Sequence, residues 1–363
     1  MMCEYAQGVA KDHAESVKWY RLAAEQGYAR AQNKLGLKYA AGEGVARDPV
    51  LAVTWFGLAA EQGLAFAQNN LGAMYEKGDG VAQDYAKALH WYRLSAAQGY
   101  ANAQNNLGWM YANGQGVEQD HAEAVRWYHL AVAQGHALAQ NNMGWMYANG
   151  HGVPMDHQEA VKWYRMAVEQ GDALAQTNLG VMYANGRGVA HSDREAVKWY
   201  RLGAEQGNAF AQGNLGWVYA NGRGVEQDDI EAVKWYRLGA EQGNATAQRN
   251  LGWMYANGHG VAQDYVEAVK WYRLGAEQGN ALAQTNLGVM YVNGRGVTQD
   301  YAEAVKWYRL GAAQGNATAQ RNLGWLYERG YGVARNKTIA YALYELAELA
   351  DAMHADKASA NIN

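Results

Sequence analysis

Nine tryptophans, Trp19, Trp55, Trp91, Trp127, Trp163, Trp199, Trp235, Trp271 and Trp307, stand 36 residues apart along this chain. A fixed period of that length is the signature of stacked repeats, in which each unit buries its apolar face only against its neighbours. The 363 residues therefore read as one continuous array rather than as two or three ordinary domains. Such an array has no single cleft. It offers one long surface, and function is expected along it.

One unit, residues 101–135, divides at its turn signals into two helical segments. The first starts at about Ala101 and places Ala103, Leu107 and Tyr111 on one face at i, i+4 and i+8. Gly114-Gln115-Gly116-Val117 reads as a loop. Asp120 then opens the second segment, which runs through Trp127-Tyr128 and stops at Gly135. The positions equivalent to Asp120 are Asp12, Asp48, Asp84, Asp156, Ser192, Asp228, Asp264, Asp300 and Asn336, all good N-caps. Glu15, Glu123, Glu159, Glu195, Glu231, Glu267 and Glu303 stand three residues further on and complete a capping-box pattern. The glycines equivalent to Gly135 suit a left-handed residue after a helix end. The first segment occurs nine times and the second ten, because Cys3 falls where other units have tyrosine and Gly8-Val9 aligns with Gly44-Val45. The chain is thus expected to begin inside a repeat that lacks its first helix.

The recurring pattern, carried in one unit by Ala103, Leu107, Gly108, Tyr111, Gly114, Gly116, Val117, Asp120, Ala124, Trp127, Tyr128 and Gly135, resembles the Sel-1-like repeat family, relatives of tetratricopeptide repeats. The resemblance covers nearly the whole chain. It implies an all-α, right-handed α/α superhelical solenoid of about ten 36-residue helix-turn-helix repeats, with the first helix of each unit lining a concave face. It also implies a bacterial adaptor that assembles protein complexes. Many exported relatives are stapled by disulfides; Cys3 is the one cysteine here, so this chain departs from that subgroup. The solenoid is expected over residues 1–350, with Leu343 replacing the tryptophan in a capping unit and 351–363 forming a loose polar tail.

Differences between units mark the free face. In the first helix, the positions of Ala31, Leu35, Gly36 and Tyr39 are nearly invariant, whereas positions 30, 33, 37, 40 and 41 vary and fall within an arc of roughly 100°. At the position of Leu37 stand Ala73, Trp109, Trp145, Val181, Trp217, Trp253, Val289 and Trp325. A site that accepts alanine or tryptophan is not a close-packed interior position. Beside this row lie an outer row of amides, Asn113, Asn149, Asn185, Asn221, Asn257 and Asn293, and an inner row, Asn106, Asn142, Asn178, Asn214 and Asn250. Exposed indoles beside amides that can pair a peptide backbone in both directions suit the capture of a protein or peptide. The bland alternatives are that the tryptophans fill space between helices and that the inner asparagines bond the neighbouring loop. The residue between the paired glycines runs from Glu43 and Asp79 to Arg187, Arg223 and Arg295; it reads as a solvated loop edge, or as a match to a partner of asymmetric charge.

Other chemistry is excluded or unsupported. A net charge of −4 without a basic run argues against nucleic acid. No apolar stretch reaches membrane-span length, and residues 1–10 show no secretion signal; the cytoplasm is the default, with export if the natural protein starts further upstream. The scattered histidines form no metal set, the serines no nucleophile motif, and the Gly-x-Gly loops lack the P-loop lysine. No cofactor is expected. The expected function is a non-enzymatic scaffold binding a peptide or protein. A cell-wall or carbohydrate binder is the alternative, and the β-lactamase-like hydrolase claimed for some relatives comes last. The uncapped first helix is expected to fray or to associate end to end with another chain.

Overall fold

The structure, a computed structural model, describes residues 12–360, with side chains described through residue 353. The expected half-repeat at residues 1–11, with Cys3, the His354 side chain and residues 361–363 lie outside the described residues. Among the described residues there are nineteen helices and no strands. They are α1 His13–Glu25, α2 Ala29–Ala41, α3 Pro49–Glu61, α4 Ala65–Lys77, α5 Tyr85–Ala97, α6 Ala101–Asn113, α7 His121–Val132, α8 Ala137–Asn149, α9 His157–Glu169, α10 Ala173–Asn185, α11 Asp193–Glu205, α12 Ala209–Asn221, α13 Asp229–Glu241, α14 Ala245–Asn257, α15 Tyr265–Glu277, α16 Ala281–Asn293, α17 Tyr301–Ala313, α18 Ala317–Arg329 and α19 Lys337–Ala360. Odd-numbered helices carry the Trp-Tyr pair, except Trp55-Phe56 in α3 and Leu343-Tyr344 in α19, and even-numbered helices carry the Ala-x-Ala-Gln segment. The chain divides into two compact units, Met1–Ala175 and Gln176–Asn363, and the same local arrangement recurs inside each.

Every expected N-cap forms. The side chains of Asp12, Asp48, Asp84, Asp120, Asp156, Ser192, Asp228, Asp264, Asp300 and Asn336 accept from the backbone N–H three residues on, at 2.9–3.2 Å. The capping box is only half realised. The backbone N–H that its glutamate would accept from is already taken: Asp120 N donates to Tyr111 O at 2.9 Å, and Asp264 N to Tyr255 O at 2.9 Å. The glutamates turn outward instead, as Glu159 does to Lys162 Nζ at 2.7 Å, in exposed pairs that contribute little.

The interior is built from one contact repeated. The helical glycine of each even helix faces an aromatic ring of the next odd helix, a tyrosine in all but α2, where Gly36 faces Phe56. A Cβ on Gly108 would lie 2.6 Å from the Tyr128 ring, and one on Gly216 would lie 2.6 Å from the Tyr236 ring. Only a residue without a side chain lets the ring lie flat on the helix. Around it gather small and aliphatic residues, as in Ala232, Val233, Leu251 and Met254 with Tyr236, and the periodic Trp271 closes the same cluster from the following odd helix. The regular tryptophans therefore join one repeat to the next. The Gly-x-Gly loop is fixed by a second close approach: Gly116 has φ +68°, and a Cβ there would stand 2.6 Å from Tyr85 O of the preceding repeat.

A polar ladder runs through this apolar stack. The buried glutamines of the Ala-x-Ala-Gln segments from Gln32 to Gln284 accept from a glutamine at the end of the next odd helix, and Gln32, Gln68, Gln212, Gln248 and Gln284 also donate to a carbonyl of the preceding one. Gln248 Nε2 donates to Ala240 O at 3.1 Å, and Gln278 Nε2 donates to Gln248 Oε1 at 2.7 Å. Buried amides satisfied at both ends cost little and fix the register of the stack. The ladder ends at Gln320, whose buried Oε1 has no partner, because Ala350 stands where other repeats have the donor glutamine. The next residue, Asp351, replaces the helix-ending glycine, and α19 runs on to Ala360. Residues 351–360 are thus helical rather than a loose tail.

Two substitutions in α12 separate these causes. Gly216→Ala drives a methyl into the Tyr236 ring and is expected to lower stability toward the upper end of the roughly 1–3 kcal/mol range for overpacking. Gly213→Ala meets only ordinary contacts, at 3.6 and 3.7 Å, and is expected to raise stability by up to about 1 kcal/mol through helix propensity. Urea midpoints moving in the same direction for both would refute the assignment. Ala350→Gln supplies the missing donor to Gln320 and is expected to raise stability by about 1 kcal/mol, read as a higher thermal midpoint.

Candidate binding surface

The variable tryptophans are open to solvent: 37% exposed at Trp109 and Trp325, 43% at Trp145 and Trp253, and 44% at Trp217. They do not fill space between helices. Four of the five are backed by the loop residue of their own repeat. Trp253 stacks on His259 with centroids 4.9 Å apart and planes at 7°, and Trp145 stacks on His151 at 5.0 Å and 22°. Arg223 lies 5.7 Å over Trp217, and Tyr331 meets Trp325 edge-on at 5.4 Å. The loop residue is in turn held by the first residue of the preceding odd helix. Arg223 grips Asp193 with two bonds of 2.8 and 3.0 Å, His259 Nδ1 lies 3.2 Å from Asp229 Oδ2, and His151 packs on His121 with centroids 4.6 Å apart. Each such indole is supported on one side by a fixed group.

The loop row therefore has a structural role that its charge gradient concealed. Acidic loop residues are paired locally as well, Glu43 with Lys38 at 2.9 Å and Asp79 with Arg47 at 2.6 Å. Local pairing thus holds the charged loop residues Glu43, Asp79 and Arg223 within the chain itself.

The two asparagine rows behave differently from expectation. The outer amides are exposed, and each Nδ2 places one of its two N–H groups on a carbonyl one turn back in its own helix. Asn113 donates to Trp109 O, Asn149 to Trp145 O, Asn185 to Val181 O, Asn221 to Trp217 O, Asn257 to Trp253 O and Asn293 to Val289 O, all at 2.8 Å. These bonds cap the helix ends and leave the second N–H and the Oδ1 of each amide. The inner row is half-buried at Asn106, Asn142, Asn178 and Asn214 and buried at Asn250. Asn142 Nδ2 donates to Asn105 Oδ1 of the preceding repeat at 2.9 Å, Asn106 likewise to Asn69 at 3.1 Å, and Asn250 bonds the buried Tyr236 hydroxyl. At Asn106, Asn142 and Asn250 the side chain thus links one repeat to the next, because it lies at the margin where one helix meets its neighbour.

Several hollows lie on this face, among them one of about 420 Å³ between Val181 and Trp217 and the two that follow. One, of about 610 Å³ near the start of the first unit, has Arg30, Lys34, Leu37 and Asn70 around the edge-on pair Phe66 and Tyr100. The other, of about 220 Å³ in the second unit, lies between Trp217 and Trp253 with Arg249 in its wall. The sequence pattern marks the Asn33 position as variable, but nothing in it separates Arg249 from the neutral residues found there elsewhere.

His136 opens α8 on the margin of this face. Its Nδ1 accepts from Ala139 N at 3.1 Å and its Nε2 lies 2.9 Å from Asn102 Oδ1, an arrangement that needs the neutral ring. Burial holds its pKa below the ordinary histidine value of 6.5, against an opposing pull from Asp172. Between the lowered folded value and 6.5 the unfolded chain binds more protons, so stability is expected to fall as pH drops below about 6.5. His136→Asn, which installs the cap found at Asn208, Asn244, Asn280 and Asn316, is expected to show a smaller loss of thermal midpoint between pH 7 and pH 5 than the parent. Equal losses would remove His136 from the account.

Among the described residues no helix is long and apolar enough to cross a membrane. A search of curated proteins gives no match. The Sel1 repeat family matches ten times, over residues 1–28, 29–64, 65–100, 101–136, 137–172, 173–208, 209–244, 245–280, 281–316 and 317–351. Among solved structures the chain is similar to c5321, a protective antigen present in uropathogenic Escherichia coli strains that displays an SLR fold. Identity is 34% over 98% of this chain and 86% of that one, with a TM-score of 0.54. It is also similar to a Sel1 repeat protein from Oxalobacter formigenes, at 34% identity over 85% of this chain and 89% of that one, with a TM-score of 0.57. The fold generally serves as a protein-interaction scaffold. With the repeated glycine–tyrosine core in place and ten matched units, the chain belongs to the Sel1 repeat family.

Proposed function

We propose that this protein is a non-enzymatic scaffold that holds a peptide or an extended segment of a protein partner along the face formed by its even-numbered helices. The observation that supports the reading most is the row of open indoles, each of four held in place from behind by a loop residue. A ring already immobilised loses little conformational freedom on binding, so more of its buried area is realised as affinity. The free Oδ1 atoms of the outer asparagines suit backbone N–H donors of an extended chain.

The test combines Trp145→Ala, Trp217→Ala and Trp253→Ala. The triple variant is expected to stay folded, since the rings are exposed, and to lose partners that the parent retains in pull-down with mass spectrometry. Retention of the same partners by a folded triple variant would overturn the reading. Binding on a glycan array with no protein captured would favour the carbohydrate alternative.

A further inference from the structure

Arg249 is the group on this face that the fold leaves unexplained. It lies on α14 at a position filled by Asn33, Asn69, Asn105, Asn141, Thr177, Gly213 and Thr285 in other repeats, and by an arginine once more, at Arg321. The two arginines differ in their surroundings. Arg321 Nη1 donates to Asp351 Oδ2 at 2.5 Å. The residue at the same offset from Arg249 is Gly279, and no carboxylate among the described residues pairs with Arg249. Its Nε is buried without an acceptor. Burial pulls its pKa below the usual arginine value, which is the mark of a charge short of compensation.

The half-buried guanidinium lies in the wall of the hollow of about 220 Å³ between Trp217 and Trp253, beside Asn221. The neighbouring cation, Arg223, is already held by two bonds to Asp193. The hollow therefore offers one uncompensated positive charge, on a planar guanidinium, beside two indoles. That combination suits a singly charged planar anion, because a guanidinium matches a carboxylate in geometry and charge, whereas a doubly charged phosphate calls for further cations. The chain itself shows the pairing two repeats later, where Asp351 supplies the carboxylate.

We propose that Arg249, with Trp217 and Trp253, forms a carboxylate-binding subsite that takes an acidic side chain or the C-terminal carboxylate of a bound peptide. The proposal rests on the peptide-binding reading of this face and names the chemistry at one point along it. A group kept without a counter-ion is destabilising in the free protein and is compensated when the ligand arrives.

The test uses the full chain, with the indole N–H resonances of Trp217 and Trp253 followed by NMR during titration with sodium acetate, against sodium chloride at equal ionic strength. Acetate is expected to shift both resonances in the parent and in Arg321→Asn, and to leave them unmoved in Arg249→Asn. That variant carries the residue of four other repeats, and its thermal midpoint is expected to equal or exceed the parent's. A lower midpoint would mean that Arg249 is needed by the fold itself and would count against the proposal. Three acetylated five-residue peptides follow: Gly-Leu-Asp-Leu-Gly with an amidated end, Gly-Leu-Asn-Leu-Gly with a free end, and the same asparagine peptide amidated. At least one of the charged peptides is expected to bind about tenfold or more tighter than the neutral one, and which one identifies the source of the carboxylate. No acetate response beyond chloride, or a response that survives in Arg249→Asn, would overturn the proposal. Equal binding of charged and neutral peptides would sink the subsite and leave the peptide-binding reading standing. An acetate response with no peptide bound would do the reverse.

Discussion

The contact between the glycine of one helix and the tyrosine ring of the next sets the spacing on which the rest of this protein is built. With no Cβ at Gly108 or Gly216, the rings of Tyr128 and Tyr236 lie directly on the helix. Helices that approach so closely bring the buried glutamines within reach of each other, so that Gln278 meets Gln248 at 2.7 Å. The same spacing brings the Gly-x-Gly loop against the preceding repeat, where Gly116 touches the backbone at Tyr85. Packing and polar bonding are thus two consequences of one distance, since protein interiors tolerate little change in volume.

That regularity separates what is repeated from what is free. The tyrosine, the glutamine and the N-cap aspartate recur because every interface needs them. The first residue of each odd helix, the loop residue between the glycines and the residue at the Leu37 position form a second system, in which each member is chosen to match the others. Asp193 with Arg223 and Trp217, Asp229 with His259 and Trp253, and His121 with His151 and Trp145 are three versions of one arrangement. The frame is constant, and the support behind each indole is adjusted locally. Arg249 stands outside both systems, with its buried Nε unbonded and no carboxylate pairing with it among the described residues.

Much of this was legible in the sequence. The 36-residue beat, the N-caps and the loop glycines mark helices and turns by local chemistry that needs no neighbour. The variable arc identified the exposed tryptophans, because a site that tolerates any volume is not packed. The inner asparagines mark the limit of that argument: a side chain can stand at the edge of a variable arc and still reach across to the neighbouring repeat, as Asn142 reaches Asn105. The capping box failed for a related reason. The N–H that its glutamate would bond is claimed by Tyr111 O in the case of Asp120, and that carbonyl lies in the preceding helix, beyond the span of the motif.

Periodicity, capping residues and glycine positions determined the all-α repeat fold from the sequence alone, because each acts within a turn or two of chain. Only the tertiary structure decided which polar groups are spent and which are free. That depends on distances between residues 18, 30 or 37 apart in sequence, such as Arg237 to Tyr255, Gln278 to Gln248 and Asn142 to Asn105. Identical asparagines become caps or inter-repeat links, and identical arginines become paired at Arg321 or uncompensated at Arg249, according to what the stacking of helices places beside them.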